Sequence, residues 1–135
     1  MIKRITQISF TIILLFLLVS CKNTKQKIQE HVNTYNNTAA LFEGENIRGT
    51  TAKGFLADNK IELRIETDLE QNQSNKLVSN QVFPKFLAEM IKSDRISKDL
   101  IDEGVIFDVY FLASNNTILN QKLIDKEGLV ELTKK

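Results

Sequence analysis

The chain is poor in the residues on which many small domains and enzymes depend. Its 135 residues include one cysteine, one histidine, one proline and no tryptophan. A single cysteine excludes an intramolecular disulfide, a Cys-x-x-Cys redox pair and a cysteine-rich zinc site, so the fold depends on its hydrophobic core. Zinc spacings, calcium loops and phosphate-binding glycine loops are also absent from the sequence. We therefore expect no metal ion and no cofactor.

The sequence has no excess of either charge. Lys and Arg number 18 against 17 for Asp and Glu, which gives no basic footprint of the kind that binds nucleic acid. One histidine and one cysteine leave few ways to assemble a nucleophile with its base, and no nucleophile elbow is present. We predict that the protein is not an enzyme and has no nucleic acid partner.

The lone cysteine closes the most informative stretch of the chain. Lys3 and Arg4 precede an apolar run at residues 8–19, and Leu-Val-Ser-Cys ends this stretch at Cys21. A basic start, an apolar run of about 7–15 residues and small residues at a cleavage point are typical of a secretory signal. A spanning helix needs about 20 apolar residues, so a permanent transmembrane anchor is the weaker interpretation.

The four closing residues resemble the lipobox of bacterial lipoproteins, with no mismatch. The resemblance covers residues 1–21 alone. It implies that a signal peptide at residues 1–20 is cleaved between Ser20 and Cys21, and that the Cys21 thiol receives a diacylglyceryl group before the new amino terminus is acylated. Two or three acyl chains anchor a protein firmly, whereas one chain binds only marginally. The alternative is an ordinary secretory signal followed by a coincidental cysteine.

In this interpretation residues 21–27 are the lipidated cysteine and a short basic tether, and residues 28–135 are a single domain. Six extended residues reach at most about 20 Å, so the domain would stay at its membrane. The three lysines of the tether would attract anionic headgroups, although a solvated linker explains them equally well. Some bacterial groups place an acidic cluster after the cysteine of surface-exported lipoproteins. The basic cluster here predicts a cell-envelope location that faces the periplasm.

Apolar residues at steps of three and four predict two main helices. The first stripe consists of Ile28, Val32, Tyr35, Ala39 and Phe42, with Gly44 placed to end the helix. The second consists of Val78, Val82, Phe83, Phe86, Leu87, Met90 and Ile91, with Pro84 on the outward side. His31 lies beside the first stripe. It is either a ligand or base or, more simply, a partly exposed helix residue.

The first β-hairpin is predicted from residues 47–57 and 60–69, joined by a two-residue turn at 58–59 that pairs Leu56 with Ile61. Small residues on one strand then face branched residues on the other.

The outer face of this hairpin carries Glu62 and Glu66 among basic residues. Two acids could suggest glycoside chemistry. On an alternating strand beside Lys53 and Arg64, a solvated face explains them better.

The second hairpin is predicted from residues 105–113 and 117–124. The first of these strands is apolar on both sides except at Asp108, which is typical of a central strand. A two-residue turn would place Asn120 opposite Phe111, and a three-residue turn would align Leu119 or Gln121 there. The sequence leaves this register open. Weak apolar spacing at 126–133 is compatible with a last helical turn, and Ser97 can cap a short turn at 98–103.

These elements predict an α+β fold, with an antiparallel four-stranded sheet of two β-hairpins and helices packed mainly on one face, in the order α-β-β-α-β-β. One face of the third strand would fill the core. The candidate binding face on the other side would comprise Phe55, Ile106, Tyr110 and Leu112. A contiguous apolar patch of this kind marks a protein or ligand surface, unless the first helix or the C-terminal tail covers it.

The sequence therefore predicts a membrane-anchored lipoprotein that binds or assembles with an envelope protein, or with a second copy of the chain. An inhibitor or immunity-type lipoprotein is a subclass of this prediction. The alternative is a lipoprotein that holds a small apolar or lipid ligand between sheet and helix, with Phe83, Phe86 and Phe107 lining the pocket.

Overall fold

The computed structural model describes residues 22–39, 44 and 46–134. The predicted signal, Cys21 and the helical position predicted for Phe42 lie outside these residues. The described residues form four helices and one four-stranded sheet. None of these helices is long and apolar enough to cross a membrane.

The described elements follow one another in the order α-β-β-α-α-β-β-α. They are α1 (Thr24–Asn37), β1 (Ile47–Phe55), β2 (Lys60–Thr67), α2 (Gln73–Lys92), α3 (Lys98–Asp102), β3 (Ile106–Leu112), β4 (Ile118–Ile124) and α4 (Lys126–Thr133). The predicted α+β class is correct. The short helix α3 is capped by Ser97, as predicted, because the Ser97 side chain accepts a hydrogen bond from the Leu100 N–H.

The sheet is mixed, with the strand order β1-β2-β3-β4. The outer pairs are antiparallel and the central pair β2–β3 is parallel, so the prediction of a wholly antiparallel sheet was wrong at its centre. Helix α2 explains this difference. Its 20 residues extend about 30 Å, long enough to carry the chain back along the sheet. Strand β3 therefore starts at the same end as β2, where the Ile106 N–H donates to the Asn59 carbonyl.

The first hairpin is shifted by two residues from the predicted register. Gly54, rather than Leu56, pairs with Ile61. Leu56–Asp58 form a 3₁₀ turn, which ends at Asn59 in the left-handed conformation with φ 48°. A slip of two residues keeps every side chain on its predicted face, so small residues still face branched ones across the pair.

The second hairpin places Asn120 opposite Phe111, one of the two alternatives left open by the sequence. The turn is longer than two residues, because the Ala113 N–H donates to the Thr117 carbonyl. A register shift between Phe111 and Leu112 absorbs the extra length.

Helix α1 begins earlier than the apolar stripe indicates. Asn23 caps it: the Asn23 side chain accepts a bond from the Gln26 N–H at 2.8 Å, and the Gln26 side chain accepts one from the Asn23 N–H at 3.2 Å. Most of the predicted tether is therefore helical. The helix also ends earlier than predicted, at Asn37 rather than near Gly44.

The core lies between the sheet and the helices. Its most deeply buried side chains come from both layers and include Ile28, Ile61, Leu63, Ile65, Leu87, Met90, Phe107 and Val109. The predicted inner stripe of α2 is confirmed for Phe83, Leu87, Met90 and Ile91, whereas Val78 and Val82 are exposed. Pro84 lies inside α2 on its exposed side, as predicted.

Candidate functional site

One face of the sheet carries no helix among the described residues. Ile28 of α1 packs 3.2 Å from where a Cβ of Gly54 would lie, on the face that also holds Ile61. Leu129 and Leu132 of α4 pack against the same core. Neither α1 nor α4 therefore covers the opposite side, which we call the helix-free face.

The helix-free face is built of four rows of residues that pair across the strands. From one end of the sheet to the other, the rows are Phe55-Lys60-Ile106, Lys53-Glu62-Asp108-Leu123, Thr51-Arg64-Tyr110-Gln121 and Gly49-Glu66-Leu112. Charged and polar side chains predominate in the second and third rows. The face is therefore mixed rather than apolar.

The predicted binding face is corrected at Leu112, which is 1% exposed. Phe111 and Ala113 on either side are also buried. Against β2 the alternation continues, because an unbroken register pairs Leu112 with Glu66. The prediction failed because it took an outward-facing position at this end of β3 to be exposed, whereas Leu112 is buried outside the main core cluster.

The other three predicted residues, Phe55, Ile106 and Tyr110, are half-buried on the helix-free face. They do not form the contiguous patch that was predicted. Ile106 and Tyr110 lie about 13 Å apart along β3, at roughly 3.3 Å per residue. The charged row that contains Asp108 separates them.

Asp108 forms the centre of a polar cluster on this face. Its carboxylate, in a residue only 5% exposed, accepts hydrogen bonds from the Tyr110 hydroxyl at 3.0 Å and from Gln121 Nε2 at 2.9 Å. A buried carboxylate needs such donors to offset the loss of water. The bond to Asp108, followed by desolvation, raises the pKa of Tyr110. A tyrosine is protonated at neutral pH at its ordinary pKa of about 10, and the bond to Asp108 orients its hydroxyl as a donor.

Phe55 forms a second cluster at the end of the face. The ammonium groups of Lys53 and Lys60 lie 5.2 Å and 4.8 Å from the centre of its ring, within the range of cation–π interactions. The acid Glu62 lies in the next row and approaches Arg64 at 3.8 Å. This end of the face thus combines an aromatic ring with two cations.

A groove of about 530 Å³ lies on the other side of the domain, between α1 and the segment that joins α2 to α3. His31 Nε2 donates to the Arg95 carbonyl at 2.8 Å, and its ring packs edge-on against Phe107. The Tyr35 hydroxyl donates to Thr50 at 2.6 Å, because the Thr50 hydroxyl itself donates to a backbone carbonyl. These polar groups are engaged in holding the fold together.

Neither His31 nor Tyr35 has the arrangement expected of a catalytic base or metal ligand. Burial raises the pKa of Tyr35, although the bond to Thr50 and the charge of Arg95 partly oppose this effect. His31 is half-buried, which fits the simpler interpretation of this residue. Within the described part of the chain, no three His, Cys, Asp or Glu residues come together as metal ligands.

The space between sheet and α2 is filled by aromatic packing. Phe83 and Phe107 are 3% and 0% exposed. The rings of Phe83 and Phe86 lie 5.4 Å and 6.3 Å from that of Phe111. Of the residues predicted to line a lipid pocket, Phe83 and Phe86 therefore pack against Phe111, and Phe107 packs against His31.

The Asp108 cluster was missed by the sequence analysis, although one signal pointed to it. Asp108 is the only charged residue between positions 105 and 113. A single charge in a strand that is otherwise apolar on both faces must find partners on folding. Tyr110 follows two positions later and so lies on the same face. Gln121 could be identified only from the register of β4.

Comparisons with known proteins identify a similar fold but no family. No protein-family model matches the chain, and no curated protein matches its sequence. A predicted secreted protein of Pseudomonas aeruginosa has a similar structure, with a TM-score of 0.51 and 12% identity over 81% of this chain and 98% of that one. This likeness concerns the fold alone. The type II secretion system pilotin AspS of Vibrio cholerae aligns with a TM-score of 0.41 and 18% identity, over 76% of this chain and 95% of that one. That likeness is too distant to carry an argument.

Proposed function

We propose that the chain is a bacterial lipoprotein, anchored through Cys21 to a membrane of the cell envelope and facing the periplasm, that binds an envelope protein without catalysing a reaction. The anchor is supported by the lipobox resemblance, which ends at the single cysteine of the chain. The binding activity is supported by the chemistry of the helix-free face.

The observation that carries the binding proposal is the fixed position of Tyr110. Its ring is half-buried and its hydroxyl is held by Asp108. Tyrosine is enriched among the residues that dominate binding energies, because it combines a large apolar area with a polar tip. A side chain that is already immobilised loses less conformational entropy when a partner binds. Tyr110 is therefore the best-prepared anchor residue on this face.

The shape of the face favours a protein over a small ligand. Small molecules bind in concave sites that bury most of their surface, whereas this face is one side of a sheet. Its mixture of charged and apolar side chains, such as Arg64 beside Tyr110, is typical of the surfaces at which proteins associate. The alternative of an apolar ligand held behind Phe83 and Phe107 has no comparable support.

The anchor is tested by the intact mass of the full-length protein purified from bacterial membranes, beside a Cys21→Ser variant. We expect a mature mass that starts at Cys21 and includes acyl chains, and we expect the variant to lack them. An unacylated mass or a retained signal would refute the anchor.

The binding face is tested by photo-crosslinking in the bacterial host. A photoreactive phenylalanine analogue replaces Tyr110 in one version of the chain and Val82, which is 47% exposed on α2, in a control version. We expect a discrete crosslinked protein from position 110 alone. An excess of untagged wild-type chain should abolish it by competition. Equal products from both positions, or none from position 110, would refute the helix-free face as a binding surface.

A further inference from the structure

The contacts of helix α1 with β1 show at which end of the sheet the helix starts. Near its C-terminus, Tyr35 bonds to Thr50, and nearer its N-terminus, Ile28 packs against Gly54. The helix therefore runs antiparallel to β1. Its first residues lie beyond Gly54, beside the turn at 56–59 that leads into β2.

The first turn of α1 also contacts the segment just before β3, at the same end of the sheet. The Thr24 hydroxyl lies 3.3 Å from the Glu103 carboxylate, and Lys27 forms an ion pair with it. Glu103 shortly precedes β3, whose first residue, Ile106, pairs with Lys60. We call this region the anchor end: the start of α1, the turn at 56–59 and the start of β3.

The anchor end carries an apolar and basic surface on the helix-free face. Phe55, Lys60 and Ile106 are paired in that order across three strands, which separates Phe55 from Ile106 by roughly two strand spacings of about 4.8 Å. Lys53 and Lys60 both lie close to the Phe55 ring. We call these four residues the anchor-end patch.

Few residues separate the anchor end from the predicted lipidation site, Cys21. Asn23 already caps α1, so Lys22 alone separates the cap from Cys21. Two extended residues span at most about 7 Å. An acyl chain on Cys21 would therefore hold the anchor end close to the bilayer, whatever the orientation of the rest of the domain.

We propose that the anchor-end patch lies against the headgroups of an anionic lipid bilayer. This proposal rests on the acylation of Cys21 in the proposed function. Phe55 and Ile106 would enter the boundary between headgroups and acyl chains, while Lys53 and Lys60 extend their ammonium groups to lipid phosphates. Asp58 in the adjoining turn opposes this attraction, as do Asp125 and Glu127, which line a hollow with Ile106 on either side of Lys126. Docking would leave Tyr110, two rows further along the sheet, free to face a protein partner.

Tryptophan fluorescence can test the proposal, because the chain has no tryptophan of its own. Phe55→Trp is introduced into the full-length acylated protein, which is reconstituted in vesicles of phosphatidylcholine and phosphatidylglycerol. Ala57→Trp, at an exposed position in the turn of the same end, is a second reporter. Leu77→Trp is the control. It is 60% exposed near the start of α2, and that start lies at the opposite end, where Gln71 bonds to Asn115.

We expect the emission of both anchor-end reporters to shift to the blue and to be quenched by lipids labelled near the headgroup, and the Leu77→Trp emission to be unaffected. Each lysine near an anionic surface contributes about fivefold to binding. Changing Lys53 and Lys60 to Gln should therefore lower the ratio of docked to undocked domain roughly 30-fold.

Three results would overturn the proposal, and they differ in what they leave standing. If both reporters stay unquenched while the intact mass shows an acylated Cys21, the patch does not contact lipid but the anchor stands. If the emission shifts to the blue only in native membranes and is not quenched by labelled lipid, a protein covers the patch. If the mass shows no acyl chains, the anchor fails and the membrane contact fails with it.

Discussion

The side-chain amide of Asn36 pairs with both backbone groups of Ala52. Asn36 Nδ2 donates to the Ala52 carbonyl at 3.0 Å, and Asn36 Oδ1 accepts from the Ala52 N–H at 2.8 Å. Ala52 lies in β1, which forms one edge of the four-stranded sheet. Exposed edges of this kind invite pairing with another chain. Helix α1 therefore occupies the place of a neighbouring strand at this point.

Replacing Asn36 with Ala should lower the free energy of unfolding by about 1–2 kcal/mol, because two hydrogen bonds are lost. Asn33→Ala is the matched control, since Asn33 is exposed on the same helix and surface changes usually stay within about 0.5 kcal/mol. Urea denaturation followed by circular dichroism measures both variants. Equal effects of Asn36→Ala and Asn33→Ala would show that the two Asn36–Ala52 hydrogen bonds do not contribute to stability.

Leu112 should behave as a buried residue, although it lies outside the main core cluster. We expect Leu112→Ser to lower the free energy of unfolding by about 3–5 kcal/mol, because the change removes buried apolar volume and introduces an unpaired hydroxyl. Leu123→Ser, at a position 57% exposed on the neighbouring strand, should change it by about 0.5 kcal/mol or less. Thermal unfolding of the two variants measures the difference. A Leu112→Ser protein as stable as the wild type would contradict the burial of this side chain.

The pKa of Tyr110 should fall toward its ordinary value of about 10 when Asp108 is changed to Asn, because the bond to the carboxylate is the main cause of its elevation. The chain has two tyrosines, so a Tyr35→Phe background leaves Tyr110 as the only reporter. Absorbance of the tyrosinate ion during an alkaline titration measures the pKa. An unchanged pKa in the Asp108→Asn variant would contradict the assigned cause.

The same bond makes stability depend on alkaline pH. A folded-state pKa above the unfolded value means that the unfolded chain loses its proton first. The stabilising contribution is therefore complete below the unfolded pKa and is lost as the pH rises through the folded one. In the Tyr35→Phe background, unfolding midpoints should fall with rising pH above about 10, and less steeply once Asp108 is Asn. Parallel pH profiles would argue against this linkage.

Lys27 lowers the pKa of Glu103, mainly through the hydrogen bond between their side chains. In Lys27→Met we expect this pKa to rise toward the usual value of a glutamate. Lys22→Met is the control, because Lys22 pairs with Glu30 instead. Carboxyl chemical shifts measured by NMR across an acid titration give the pKa of Glu103 in both variants. A Glu103 that titrates alike in all three proteins would place it away from Lys27 in solution.

The sign of this effect is opposite to that of Tyr110. A lowered folded-state pKa gives a stabilising contribution that is present above the usual carboxyl pKa and is lost as the pH falls through the lowered one. The pair is exposed, so the effect on global stability should be small. Its local consequence is that the first turn of α1 stays attached to the segment before β3.

Local patterns in the sequence predicted much of the secondary structure. The inner stripe of α2, the two hairpins and the Ser97 cap follow from periodicity and turn chemistry, which depend on residues close together in the chain. The two-residue slip in the first hairpin arose because Leu56–Asp58 coil into a 3₁₀ turn rather than extending the strand. Since the side-chain period is two, the predicted faces survived this error.

The sequence by itself determined the α+β class, the apolar side of each main element and the expectation of a lipid anchor, because each depends on a short stretch of chain. The tertiary structure alone decided the direction of β3, the burial of Leu112 and the Asp108 cluster. The direction of β3 depends on how α2 packs along the sheet, and the burial of Leu112 depends on packing over the end of β3 rather than on its position in the strand. The cluster joins Asp108 to Gln121 of the next strand. These relations connect residues far apart in sequence, and hydrophobic periodicity contains no information about them.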